Sequence, residues 1–446
     1  MKAFPVFALL LLLFPSFCFA QDRAVSLKEA IRLSLSRNNL LKAAEQREMA
    51  ARHGVAASRS RFLPRIFLDE NFSASNAPTR VFMMKLDQGR FTDSDFQIDR
   101  LNHPSATGDF RTAFSLEQPL FDLSLLFAAK VAVKEAEEQS LALQRRREEI
   151  AYEVFSSYLE VQMARARLAA AEKALSDAEE HRRLARVRKE SEMGLKSDEL
   201  RAGTFLAEME QQFITAKNNV VLAGMRLALI TGAAEGASLE TSEYLTGMPL
   251  GGKAEDLVAV ALANRKDLKE LEKAVEKAQV EVSLAGSAFL PTLYGSASYQ
   301  MNDRDLPFGR DNDSWLAGVN LRWELFDGLR RVDERDRSRS LENSAREMLA
   351  NERREVAFQV RESLLRLDEA EKRRTVARAS LHDAEESVRL VTKRFANSLA
   401  TLVDVLDAQS AVNRARVSVV DNDAGCALAT ARVWYRAGIF LQEVMK

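Results

Sequence analysis

Asp404 and Asp407 stand three residues apart just beyond a short turn, and Asp198 follows an earlier turn in the same way. On a helix that spacing puts Asp404 and Asp407 on one face. Carboxylates serve catalysis or metal binding only with partners, and this chain offers few. His53, His103, His181 and His382 are scattered without ligand spacing, so neither a metal site nor a nucleophile–histidine pair has support. No glycine-rich phosphate loop occurs. On residue types alone the aspartates read as solvated carboxylates beside a turn, and the chain reads as a non-enzyme without cofactor or metal. The basic run Arg182-Arg183-Leu184-Ala185-Arg186-Val187-Arg188-Lys189 precedes the first turn. It reads as a solvated helix face whose charge suits a helix C-terminus.

The elements that would carry these residues occur twice. Phe62-Leu63-Pro64 and Phe289-Leu290-Pro291 each end a helical stretch, because proline disfavours helix at the residue before it. Strand-like alternation follows over 65–75 and 110–120 in the first copy, and over 291–300 and 314–323 in the second. Ile66, Leu68, Phe72 and Ala74 oppose Phe67, Asp69, Asn71 and Ser73; Glu70 interrupts the apolar face once. Trp315, Ala317, Val319, Leu321 and Trp323 oppose Gly318, Asn320 and Arg322, with a tryptophan at each end of the apolar face. Leu120-Phe121-Asp122 and Leu325-Phe326-Asp327 then open uninterrupted helical stretches, 124–192 and 328–396. Each ends at a turn, Gly194-Leu195-Lys196-Ser197 or Asn397-Ser398-Leu399-Ala400, and returns as helix over 198–232 or 402–437. The order of marks makes a duplicated helix–strand–strand–helix unit: a first repeat over 21–231, a glycine-rich linker over 232–253 and a second repeat over 254–440.

With 446 residues, a net charge of -1 and 29% charged residues, the chain is no nucleic-acid binder by bulk charge. Residues 1–20 read as a secretory signal: Lys2, a short apolar core from Phe4 to Phe14, and Ala20 at the cut. Cys18 could instead carry lipid, but the bulky Phe17 before it argues against that. Cys426 then stands alone in an alanine-rich run, as a buried small side chain. No later stretch has the continuous apolar length of a spanning helix, so a membrane would be crossed by strands.

At about 1.5 Å per residue each long helix reaches roughly 100 Å. Helix 26–60 plus helix 198–232 matches helix 124–192 in length, and 254–288 plus 402–437 matches 328–396. These sums imply a rod with strands at one end, helical turns at the other and the linker 232–253 midway. The fold class is mostly α with a small β-barrel contribution. Four strands enclose nothing, and open edges are not tolerated in hydrocarbon. Copies must therefore close the sheet: two would give eight strands, filled by their own side chains, and three would give twelve, with room for a lumen. Asn71, Ser73, Ser115, Ser296, Ser298 and Asn320 suit a wet interior.

The ordered marks Phe-Leu-Pro, Leu-Phe-Asp, Gly194-Leu195-Lys196-Ser197-Asp198 and Leu402-Val403-Asp404-Val405-Leu406-Asp407-Ala408-Gln409 resemble those of the TolC family of outer-membrane efflux proteins. The similarity covers essentially the whole chain after the signal. It implies a homotrimer with a twelve-stranded barrel in outer-membrane lipid and a periplasmic helical tunnel. It also implies a periplasmic adaptor and an inner-membrane pump of RND or ABC type as partners. Export of drugs, metal ions or polypeptides is the family's work; the sequence does not say which applies here.

The resemblance further implies a gate at the helical turns, where Asp404 and Asp407 would gather from three copies and raise one another's pKa by like-charge repulsion. The family's namesake latches this gate with a tyrosine–aspartate bond and an arginine link. Here Asp198 keeps the acid, but Phe395 replaces the tyrosine and Ala400 the arginine. Closure is therefore expected from packing of Phe395, Leu399 and Leu402, or from charges such as Arg394. Gly194, Leu195, Ser197 and Ser398 are the expected adaptor-docking residues, ahead of the basic run, for which a solvated face is favoured over docking, and Trp315 and Trp323 are the membrane-interface aromatics. The competing class is a secreted or periplasmic coiled-coil scaffold without channel activity. It explains the helices but not four alternating strands with aromatic ends.

Overall fold

The computed structural model describes residues 23–234, 236–244 and 254–446. The expected signal, with Lys2, Cys18 and Ala20, lies outside these residues, as does much of the linker. The chain forms two compact units. One comprises the chain up to Ala43, Arg145–Arg265 and Val356–Lys446; the other comprises Ala44–Gln144 and Lys266–Glu355.

The duplication reaches the length of each element. In the first copy the helices are α1 (Leu27–Arg37, 11 residues), α2 (Asn39–Ser60, 22 residues), α5 (Leu123–Glu190, 68 residues) and α6 (Lys196–Thr231, 36 residues). Their second-copy counterparts are α7 (Ala254–Asn264, 11 residues), α8 (Lys266–Ser287, 22 residues), α9 (Arg330–Ala396, 67 residues) and α10 (Leu402–Arg436, 35 residues). A short α11 (Phe440–Met445) closes the chain.

The single helices expected over 26–60 and 254–288 are each broken after eleven residues. At Asn38 the backbone turns extended (ψ 124°), and the amide oxygen accepts from the N–H of Leu40 and of Leu41. Asparagine competes with helix in this way and starts a new one instead. Its Nδ2 donates to the Ile230 carbonyl at 2.9 Å, so the break also receives the end of α6. That end is Gly232, left-handed at φ +70°, where a Cβ would come within 2.9 Å of Arg37 Cβ. Gly438, also at φ +70°, crowds Arg265 at the second break in the same way. Both positions need glycine for its φ and for the close approach.

In the first unit a short parallel pair joins β1 (Arg23–Val25) to β4 (Leu239–Thr241), two strands the sequence reading missed. The Tyr158 hydroxyl donates to the Val25 carbonyl at 3.0 Å. Beside it Phe155, Phe440, Tyr152 and Tyr435 stack edge and face. Cys426 is buried against Val356, Val360 and Val433.

In the second unit β2 (Arg65–Ser75), β3 (Thr107–Phe121), β5 (Thr292–Asp303) and β6 (Asn312–Arg322) form one antiparallel sheet in the order β2-β3-β5-β6. The register puts Ile66, Leu68, Phe72, Phe114, Tyr299, Trp315 and Val319 on one face, and Asn71, Ser73, Asp109, Ser115, Ser298 and Asn320 on the other. Glu70, on the apolar face, accepts from the Thr112 hydroxyl across the ladder. The repeated aspartates fasten strand to helix. Asp122 accepts from the Ser124 N–H at 2.9 Å; Asp327 accepts from the Arg331 N–H at 3.1 Å and pairs with its guanidinium. The connection from β2 to β3 is not the plain loop that its Gly, Pro, Asn and Asp content suggests. It contains α3 (Pro78–Asp87), a 3-10 turn (Asp93–Phe96) and α4 (Ile98–Asn102).

Candidate functional site

The two helical hairpins of the first unit end in matching turns. α5 closes with Glu192 at φ 60° and a bond from the Met193 N–H to the Arg188 carbonyl at 2.9 Å. α9 closes with Ser398 at φ 57° and a bond from the Leu399 N–H to the Arg394 carbonyl at 2.8 Å. Both are helix C-terminal caps built on a left-handed residue. Behind them Ala174, Ala178 and Ala185 of α5 let Phe205 and Leu206 of α6, and Leu402, Val405 and Leu406 of α10, pack closely around Phe395.

Arg188 spans the two turns. Its guanidinium lies 4.5 Å from the centre of the Phe395 ring. One nitrogen donates to the Phe395 carbonyl at 2.9 Å, and the other to Ser398 Oγ at 3.3 Å. The ring that lacks a hydroxyl is thus held by a cation on its face. The sequence reading placed Arg188 on a solvated face; its neighbours Arg183 and Arg186 do pair on that face, with Glu180 and Glu190. Phe395 and Leu402 are buried, but Leu399, expected to pack with them, is 67% exposed. The turn that Ser398 opens points the Leu399 side chain outward, while its backbone is held to Arg394 at both ends: its N–H by the Arg394 carbonyl at 2.8 Å and its carbonyl by the Arg394 guanidinium at 3.4 Å.

Asp404 and Asp407 are both exposed, on one face of α10. Asp404 forms a capping box with Thr401: it accepts from the Thr401 N–H and hydroxyl at 2.8 Å each, and its own N–H donates back. The Thr401 N–H, then its hydroxyl, holds the Asp404 carboxyl below the usual range. This sign is opposite to the rise expected from gathered carboxylates, because that rise needs neighbouring copies and the cap acts within one chain. Asp198 lies half-buried in the first turn of α6. Beside it Lys196, then Lys189, holds Glu199 down to about 2.

The first turn also differs from its expected span. α6 begins at Lys196, so Ser197 lies in a helix rather than in the turn. Leu195 and Met193 are 67% and 70% exposed. Gly194 sits against Arg188, where a Cβ would come within 3.1 Å of its Cβ.

At the sheet, β2 and β6 each leave one backbone edge unpaired within the chain. Trp315 is 78% exposed on the apolar face. Trp323 follows the end of β6, its indole N–H donating to the Phe289 carbonyl at 3.1 Å. Eight residues separate them, about 26 Å along an extended chain, or about 20 Å of height at the strand tilt of an outer-membrane barrel, somewhat under its apolar band of about 25 Å. Among the described residues one helix, α6, has the length and composition to cross a membrane, with a window of mean hydropathy 1.2. Part of it is core (Phe205, Leu206, Met209, Leu227), while Ile214, Val221, Leu222 and Leu229 form an exposed stripe.

The model of the family described as outer membrane efflux protein matches residues 30–233 and 257–433. The chain belongs to the outer membrane efflux protein family. This is a family of efflux channels of the outer membrane, not of enzymes, and the chain is an efflux duct of that class. No curated protein matches it by sequence. Its fold is that of the Campylobacter jejuni CmeC outer membrane channel, with a TM-score of 0.79 at 18% identity over 93% of this chain and 86% of that one. The Vibrio cholerae outer membrane protein VceC gives 0.75 at 17% identity over 92% and 96%. The open state of the Neisseria gonorrhoeae MtrE outer membrane channel gives 0.76 at 15% identity over 94% and 90%. In this efflux protein Thr401 and Met193 are turn residues the sequence reading did not single out, and Arg188 is one whose contacts it did not find. Thr401 was legible, since threonine three residues before an acid is a capping signature. Arg188 was not, because its partners lie more than 200 residues away.

Proposed function

We propose that three copies of this chain close their sheets, β6 of one against β2 of the next, into a twelve-stranded barrel through which substrates leave passively. The observation that carries this is the pair of unpaired eleven-residue edges on a sheet that exposes a mainly apolar face and a mainly polar one. Hydrocarbon leaves such edges no partner but another copy. Trp315 and Trp323 mark the two interfaces, and the polar face lines the lumen. The stripe Ile214, Val221, Leu222 and Leu229 on α6 packs against a neighbouring copy.

On this reading the helical turns form the periplasmic entrance. Asp404, Asp407 and Asp198 set its charge, Phe395 and Leu402 pack it shut, and Arg188 clasps the second turn to the first. Leu399 projects from the turn and would meet its counterparts from neighbouring copies. Gly194, Leu195, Ser197 and Ser398 present the surface for a periplasmic adaptor, which brings an inner-membrane pump. Residues 1–20 direct the chain across the inner membrane and are removed after Ala20. The duct selects little; the pump chooses the substrate. The test is the chain's oligomeric state in the outer-membrane fraction. A heat-modifiable trimer is expected, whereas a soluble periplasmic monomer would overturn the proposal and favour the scaffold.

A further inference from the structure

The connection between β2 and β3 does not stand away from the sheet. Its helix α3 leaves β2, at one edge of the four-stranded sheet, and ends at Gln88 and Gly89. Gln88 is buried and donates from Nε2 to the Gly108 carbonyl at 2.8 Å and to Asp109 Oδ1 at 2.9 Å. Asp109 Oδ2 in turn accepts from Asn302 Nδ2 at 2.9 Å. A Cβ at Gly89 would lie 3.4 Å from Asn312 Cβ, at the start of β6, the opposite edge. Just beyond, Arg90 comes within 3.9 Å of Asp305 and Asp311 in the β5–β6 turn.

The register fixes the side on which this happens. Asp109 shares a face with Arg111, which pairs with Asn302, which pairs with Asn312. All belong to the face of Asn71, Ser115 and Ser298, opposite the apolar face of Phe72, Tyr299 and Trp315. The helix therefore crosses the sheet on its polar side, at the rim. Its ten residues give about 15 Å of length, and three inter-strand steps of about 4.8 Å span about the same distance. The helix is long enough to be a chord across the sheet from edge to edge.

We propose that α3 is a strap across the inner rim of the outer mouth, so that three straps narrow the barrel and set the size of what passes its outer end. This rests on the duct reading above, in which the polar face lines the lumen. Gln88 and Arg90 are the fastenings: one ties the strap to β3, the other to the β5–β6 turn. Arg80 and Met83, exposed on α3, present its free surface to whatever passes.

The test is thiol labelling at Ser298→Cys, on the polar face in mid-strand, in a Cys426→Ala background with maleimides added outside intact cells. With the strap in place, N-ethylmaleimide labels the site and a polyethylene-glycol maleimide of several kilodaltons does not. Replacing residues 78–103 by a short Gly-Ser connection, or substituting Gln88→Ala with Arg90→Ala in the full chain, abolishes that exclusion. Trimer bands on unheated gels show which variants assemble, and the point variants decide if the shortened chain does not. Exclusion of the large reagent that persists in the assembled variants, or its ready entry with the strap intact, overturns the strap. Failure of the small reagent to label any chain would mean that the polar face is dry, and would overturn the duct reading and the strap together.

Discussion

The guanidinium of Arg188 stacks 4.5 Å from the centre of the Phe395 ring and donates to that residue's own carbonyl at 2.9 Å. One side chain at the end of α5 thereby holds both the aromatic ring and the backbone of the second turn. Stacking of this kind contributes about 0.5–1 kcal/mol at exposed sites, and a hydrogen bond from a charged group about 1.5–3 kcal/mol. Arg188→Ala should therefore loosen the turn. Cells carrying it are expected to become several-fold more sensitive to bulky polar antibiotics, with trimer amounts unchanged. Arg188→Lys keeps the charge but loses the flat fork, and should fall between the two. Wild-type sensitivity in Arg188→Ala would remove the clasp from the account.

The Asp404 capping box gives the tip a pH dependence whose sign follows from its lowered pKa. A group held down in the folded state stabilises fully above its unfolded value, about 3.9, and loses that effect as pH falls through the folded value. The start of α10 is therefore expected to be firm at neutral pH and to fray below about pH 4. Asp404→Asn should show the frayed behaviour at neutral pH. Thr401→Ala removes the N-cap at a cost of about 1 kcal/mol. Amide hydrogen exchange over Leu402–Leu406, followed against pH, reads both.

The two sheet faces should respond oppositely to charge. Val319→Lys puts an ammonium on the lipid side, where the cost is about 2–4 kcal/mol near the midplane, and is expected to deplete heat-modifiable trimer. Ser298→Lys, on the polar face, is expected to assemble. Equal tolerance at both positions would mean that the faces are assigned the wrong way round.

The apolar stripe on α6 separates subunit folding from assembly. Leu222 and Leu229 are 61% and 78% exposed in one chain. Leu222→Glu with Leu229→Glu should leave each subunit folded, as judged by helical circular dichroism, while abolishing the trimer. A stable trimer would show that α6 does not face a neighbour.

What could be read from the sequence was what repeats locally. Pro64 and Pro291 end helices, alternation marks the strands and Asp122 and Asp327 open the long helices through their own side chains, so those elements were legible. The breaks at Asn38 and Arg265 were not read: Asn38-Asn39 carries a local capping signal that a continuous apolar pattern masked, whereas Arg265 carries none, and both breaks receive the end of a distant helix, capped at Gly232 or Gly438. The strap was partly legible: Pro78 at a helix start, followed by Val81, Phe82 and Met84, is a helix signal lost within a polar segment. The direction of α3, like the reach of Arg188, depends on pairings remote in sequence, and no local pattern encodes them.

The most direct test of the duct is single-channel recording of the purified trimer in a planar lipid bilayer. Discrete conductance steps are predicted for the wild type, with larger steps for Arg188→Ala. A trimer that inserts stably yet passes no current in either form would contradict the duct itself.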